Sequence, residues 1–157
     1  MPFALYLLAL VVFAMGTSEF MLAGLVPDIS TYFSVSVGTA GLLTSAFAAG
    51  MVIGAPAMAA LTRHLPVKAT LLGCVIVFAL SHVVGALTPD FTVLFITRVI
   101  AAIVNAGFLA VALGAATRLV APDAKGRAVA VLLAGTTLAP PVPGPPRGLP
   151  WNAPRPL

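Results

Sequence analysis

Charge is what this sequence has least of. Eight Lys and Arg with four Asp and Glu make up only 8% of its 157 residues, where a soluble domain carries about 25%. So few charged side chains cannot clothe a particle of this size in water, and a soluble globule is excluded. Cysteine is nearly absent as well: Cys74 stands alone, which excludes a disulfide scaffold. What fills the sequence instead is apolar, with 61% hydrophobic residues and 14 glycines. That content excludes a disordered chain and leaves an integral membrane protein.

A net charge of +4 raises the question of a nucleic-acid partner, which the positions of the charges answer. Phe3 to Val26 holds Glu19 alone, Thr31 to Thr62 and Ala69 to Pro89 hold no charge, and Phe91 to Thr117 holds Arg98 alone. Each stretch exceeds the roughly 20 residues a helix needs to cross about 30 Å of hydrocarbon. The expected architecture is therefore all-α, with membrane helices at about 4–26, 38–61, 69–88 and 92–116. Strands of about 10 residues with alternating polarity, the signature of a membrane barrel, are not seen. The first stretch is also too long for a signal-peptide core, and Met1-Pro2 supplies no basic residue before it.

Orientation follows from the basic residues. Arg63, His64 and Lys68 lie between the second and third spans, and Arg118, Lys125 and Arg127 follow the fourth, whereas the other two junctions carry only Asp28 and Asp90. The positive-inside rule places the two basic loops and the N-terminus in the cytoplasm. The excess positive charge then reflects topology and anionic lipid, with no nucleic acid expected. Short loops predict that consecutive helices pack as antiparallel neighbours.

Small residues mark the expected contacts. Gly50 and Gly54, extended by Ala46, share one face of the second span, and Ala102, Ala106, Ala110 and Gly114 recur every four residues in the fourth. Such spacing lets two backbones approach where lipid tails supply no hydrophobic drive, within one bundle or across a dimer. Pro56 predicts a kink.

The two charges inside the membrane are the candidate functional groups. Glu19 precedes Asp28 by nine residues and Arg98 follows Asp90 by eight, so both sit roughly 12–14 Å below the same membrane face. That depth predicts an interaction, direct or through water. Arg98, Ala102 and Asn105 share a helix face, as Glu19 does with Met15, Gly16 and Ala23. Two readings stay open: a buried pair that fixes helix register, or a titratable carboxylate beside a fixed cation in a solute or proton path. His82 reads as a hydrogen-bonded structural residue or a proton relay, Cys74 as packing, and Tyr6 and Tyr32 as interfacial aromatics. Nucleotide-binding loops, zinc-ligand spacings and nucleophile elbows are missing, so no enzyme activity, metal or cofactor is expected.

Gly16 to Ile29, Gly41 to Phe47 with Gly54-Ala55-Pro56, and Thr97-Arg98 through Asn105-Ala106-Gly107 together resemble the N-terminal half of drug/proton antiporters of the major facilitator superfamily, chloramphenicol-resistance group. The resemblance covers residues 1 to about 139. It implies a bacterial plasma-membrane, multi-pass exporter of twelve helices in two halves, moving a small hydrophobic drug outward as protons enter. Arg98 matches the family's fourth-helix arginine, Asn105 and Gly107 fall in the same motif, and Glu19 matches the first-helix acid. In the gating loop Lys68 matches the last basic residue, while Arg63 and His64 stand where the family has Asp-Arg and Pro66 stands where it has glycine. Gating by that Asp is not carried over.

Gly135, Thr136 and Thr137 begin the family's fifth-helix antiporter motif, on a span expected at 127–139. From 140 to 157, however, eight of 18 residues are proline, and prolines lacking N–H donors cannot continue a helix. The expectation is an incomplete fifth helix and a disordered, Pro-rich tail foreign to the fold, introduced by a frame change or truncation. The fold class is thus a truncated N-terminal half of a major facilitator bundle. Two functions follow: a proton-coupled chloramphenicol or multidrug efflux carrier missing its second half, or a membrane fragment or small interaction protein that transports nothing.

Overall fold

In the computed structural model, which describes residues 3–137, six α-helices follow one another: α1 (Phe3–Gly24), α2 (Val26–Tyr32), α3 (Val37–Thr62), α4 (Val67–Leu87), α5 (Phe91–Arg118) and α6 (Lys125–Thr137), the last entered through a 3-10 turn at Pro122–Ala124. Four of them, α1, α3, α4 and α5, are long and apolar enough to cross a membrane. No strand occurs among the described residues, as a backbone without water to bond requires of an open chain in lipid.

Local chemistry sets the helix ends. Ser36 caps α3, its Oγ accepting from the Thr39 amide at 3.0 Å, and Asp90 caps α5, its Oδ1 accepting from Thr92 N at 2.6 Å and Val93 N at 3.4 Å. Both side chains satisfy amides that the first turn leaves without a carbonyl. The first span ends at Gly24, and after Leu25 the chain resumes as the short α2, which has Pro27 in its first turn. Pro56 lies within α3, and the helix runs on past it to Thr62.

Packing follows sequence order only in part: α4 and α5 pack as neighbours, whereas α3 and α4 do not. α5 is the hub: α3 and α4 both lie against it, while α1 lies chiefly against α6. The expectation that every short loop joins a packed pair is corrected for α3 and α4, which meet through α5 rather than along each other. Small residues decide this. A Cβ on Gly50 would stand 2.7 Å from the Ala102 Cβ, and one on Gly54 would stand 2.7 Å from the Ile103 Cα. Side chains of that type let α3 and α5 touch backbone to backbone, so the glycine spacing serves contact within the bundle.

The core runs where α1, α5 and α6 meet, around Leu5, Val12, Phe108, Ala112 and Leu132. Large apolar side chains such as Val52, Ile53, Leu61 and Leu87 are instead mostly exposed. Lipid rather than water explains that inversion. Several hydroxyls inside the spans bond their own helix: Thr17 donates to the Phe13 carbonyl, Thr62 to Met58 and Ser81 to Val77. No buried side-chain nitrogen or oxygen among the described residues lacks a partner.

Candidate functional site

Three helices converge on one imidazole. His82 lies on α4 one turn after Phe78, and its Nδ1 sits 2.8 Å from the Phe78 carbonyl oxygen. A carbonyl only accepts, so Nδ1 carries the hydrogen and Nε2 presents its lone pair. Ser18 Oγ of α1 lies 2.6 Å from that Nε2, and Arg98 Nη1 of α5 lies 3.2 Å from it. Both donate to the same acceptor, tying α1, α4 and α5 together at one point.

The site is possible because α4 and α5 approach closely just beside it. A Cβ on Gly85 would meet Thr97 Oγ1 at 3.1 Å and Leu94 Cδ1 at 3.2 Å. Thr97 in turn donates to the Leu94 carbonyl at 2.7 Å. The Phe78 ring packs against the imidazole, with centroids 4.2 Å apart. A cavity of about 400 Å³ opens next to the cluster, lined by Ser18, His82 and Arg98 and, toward the Asp28 and Asp90 end, by Tyr32, Phe33 and Thr88.

Of the two forms of contact expected between Glu19 and Arg98, the direct one is not made. Arg98 bonds His82 instead, and Glu19, half-buried on α1, makes no hydrogen bond or ion pair with a described residue. The reason is angular. Successive helix residues are turned by about 100°, and it is Ser18, the residue before Glu19, that faces α4. Helix contacts reinforce this, since α1 lies mainly along α6 and only lightly on α5.

Asn105 is not gathered with Arg98 either. Its Nδ2 donates to Met51 Sδ of α3 at 3.8 Å, nearly two turns further along α5, so the shared face splits between two neighbours. In the loop after α3, Arg63 Nε donates to His64 Nε2 at 2.9 Å. Arg63, His64 and Lys68 are all exposed. Lys68 and Arg118 line one apolar groove with Ala4 and Leu7 of α1, so the basic loops and the start of α1 share one end of the bundle. Gly135 is the point where α6 meets α1 backbone to backbone. The side chains of Thr136 and Thr137, and the Pro-rich stretch 140–157, lie outside the described residues.

Sequence reasoning singled out His82 as a hydrogen-bonded residue or a proton relay but not its partners, and Ser18 was overshadowed by Glu19. The available signal was that Ser18, His82 and Arg98 all fall within about three turns of the junctions that carry Asp28 and Asp90.

The model of the Major Facilitator Superfamily matches residues 8–148. A chloramphenicol resistance protein of Streptomyces lividans is 63% identical over 139 residues, covering 88% of this chain and 36% of that protein. The inner membrane transport protein YdhP of Escherichia coli is 34% identical over 137 residues, covering 87% and 35%. A chloramphenicol efflux pump of Mycobacterium tuberculosis is 33% identical over 135 residues, covering 86% and 33%. The chain thus spans about a third of the length of the curated relatives it matches. No solved structure matches it.

Proposed function

This chain belongs to the major facilitator superfamily, and from that premise we propose that it forms part of a proton-coupled exporter of small hydrophobic, chloramphenicol-like drugs. The observation that carries the reading is the pair of ionisable side chains, Glu19 and Arg98, held inside otherwise apolar spans. Charges placed in hydrocarbon cost at least about 2.5–3.5 kcal/mol each on insertion scales and are kept where they serve a path. The 63% identity to a chloramphenicol resistance protein supports the drug class.

In this reading Glu19 exchanges the proton and Arg98 is the fixed cation that biases it, while Asn105 borders the drug path. The exposed loop of Arg63, His64 and Lys68 acts at the gate. Gly135, Thr136 and Thr137 form the antiporter segment against α1. The bundle sits in a bacterial plasma membrane with its basic loops and N-terminus in the cytoplasm, and a second half completes the drug path as the two halves rock.

A second reading is a membrane piece that transports nothing by itself, and one observation favours it: the chain spans 36% of its 63% identical relative. One experiment separates the two. Cells expressing the 157 residues alone, or together with a complete second half, are loaded with labelled chloramphenicol and its accumulation is followed. Lowered accumulation only with the second half supports the exporter reading of the pair. Export by the 157 residues alone overturns the need for a second half, and no export by either overturns the exporter reading.

A further inference from the structure

The exporter reading leaves His82 without a task, although hydrogen bonds from two other spans meet on its imidazole. We propose that His82 is a proton-operated latch: a proton taken up on Nε2 releases Arg98 and loosens α5 from α1 and α4 at the Asp28 and Asp90 end of the bundle. This assignment rests on the proposed proton coupling for its purpose, but not for its geometry.

The hydrogen-bond pattern supplies the argument. Nδ1 is committed to the Phe78 carbonyl, so Nε2 is where a proton can be added. Its lone pair already accepts from Ser18 Oγ and Arg98 Nη1. When a hydronium ion delivers its proton there, a new N–H bond forms, water is left behind, and the lone pair is gone. Ser18 answers by turning its hydroxyl to accept, because a hydroxyl both donates and accepts. Arg98 has no such answer. A guanidinium only donates, and it then faces a second cation at hydrogen-bond distance. It must withdraw.

Every element around the imidazole agrees with that asymmetry. α1 contributes Ser18, with Glu19 following it; α5 contributes Arg98; α2 places Tyr32 on the same cavity; and α4 itself offers the Phe78 carbonyl and ring. No carboxylate among the described residues is paired with the imidazole to hold it permanently charged. Among the described residues Glu19 is the only acid within a membrane span. The cavity of about 400 Å³ beside the cluster has room for the water that brings the proton.

The test uses the full 157-residue chain in lipid nanodiscs. With His64→Gln, His82 is the only imidazole, and 15N-histidine NMR follows its Nε2 between about pH 8 and pH 5, the range in which imidazoles change charge. In parallel, spin labels at Phe20→Cys on α1 and Ile96→Cys on α5, with Cys74→Ala, report the distance between the helices. The expected result is a change of Nε2 from acceptor to N–H, accompanied by a change in the label distance that is lost in His82→Gln. An imidazole that stays neutral throughout overturns the proposal, as does an unchanged pH response in His82→Gln. The NMR titration needs no change at position 82, so it stands even where that variant does not fold. It also needs no drug, so failure of export and failure of the latch are read separately.

Discussion

Gly135 on α6 and Ala9 on α1 are in backbone contact: a Cβ built on Gly135 would lie 2.6 Å from the Ala9 carbonyl oxygen and 3.1 Å from the Phe13 amide nitrogen. Neither of those atoms can move without bending α1. Van der Waals packing at such approaches is what holds helices together in lipid, where both partners are already in an apolar solvent.

Gly135→Val is therefore expected to force α6 off α1. Overpacking of this kind costs about 1–3 kcal/mol, which detergent-titrated unfolding followed by circular dichroism measures. Gly126→Ala, a site where an added Cβ meets nothing within 4 Å, is the control and should unfold like the parent.

The same argument applies across α3 and α5. Gly54→Leu places side-chain carbons where the Ile103 backbone already sits and is expected to lower stability by at least about 1 kcal/mol. Gly73→Leu on α4, with open space around its Cβ, should leave the unfolding midpoint unchanged. Equal loss in both variants would mean that leucine at a membrane glycine, and not the α3 contact, is responsible.

Asp90→Ala removes the acceptor for the Thr92 and Val93 amides at the start of α5. Loss of an N-cap costs about 1 kcal/mol, and because Arg98 lies two turns further on, fraying there also loosens the cluster at His82. Hydrogen exchange at the Thr92 and Val93 amides should rise, and Asp90→Ser should restore most of the protection.

Glu19→Gln should separate stability from coupling. No described residue is paired with the Glu19 carboxylate, so its replacement breaks no ion pair, and the unfolding midpoint should move by no more than about 0.5 kcal/mol. In a complete transporter, drug efflux driven by a proton gradient should fall sharply. If exchange continues at the parent rate, the carboxylate has no part in coupling.

Much of the architecture was legible because hydrocarbon imposes a simple code. Spans holding at most one charge over more than 20 residues had to be helices. Glycine and alanine spacing on α3 and α5 marked both as faces for close backbone approach, but that the two faces meet each other was seen only in the structure. The site was less legible. Depth along the membrane normal was computable for Glu19 and Arg98 from helix rise alone, but the direction in which each points was not.

The sequence by itself determined the solvent this protein needs, its helical class, the number of long apolar spans and which of its loops are basic, because each depends on composition or on spacing along one chain. Tertiary structure alone decided that α5 is the hub, that α1 lies against α6, and that Arg98 meets His82 and Ser18 rather than Glu19. The physical reason is rotation. Residues at one depth can face any direction around their helix axes, and only the packing of small residues at Gly50, Gly54, Gly85 and Gly135 fixes which faces meet.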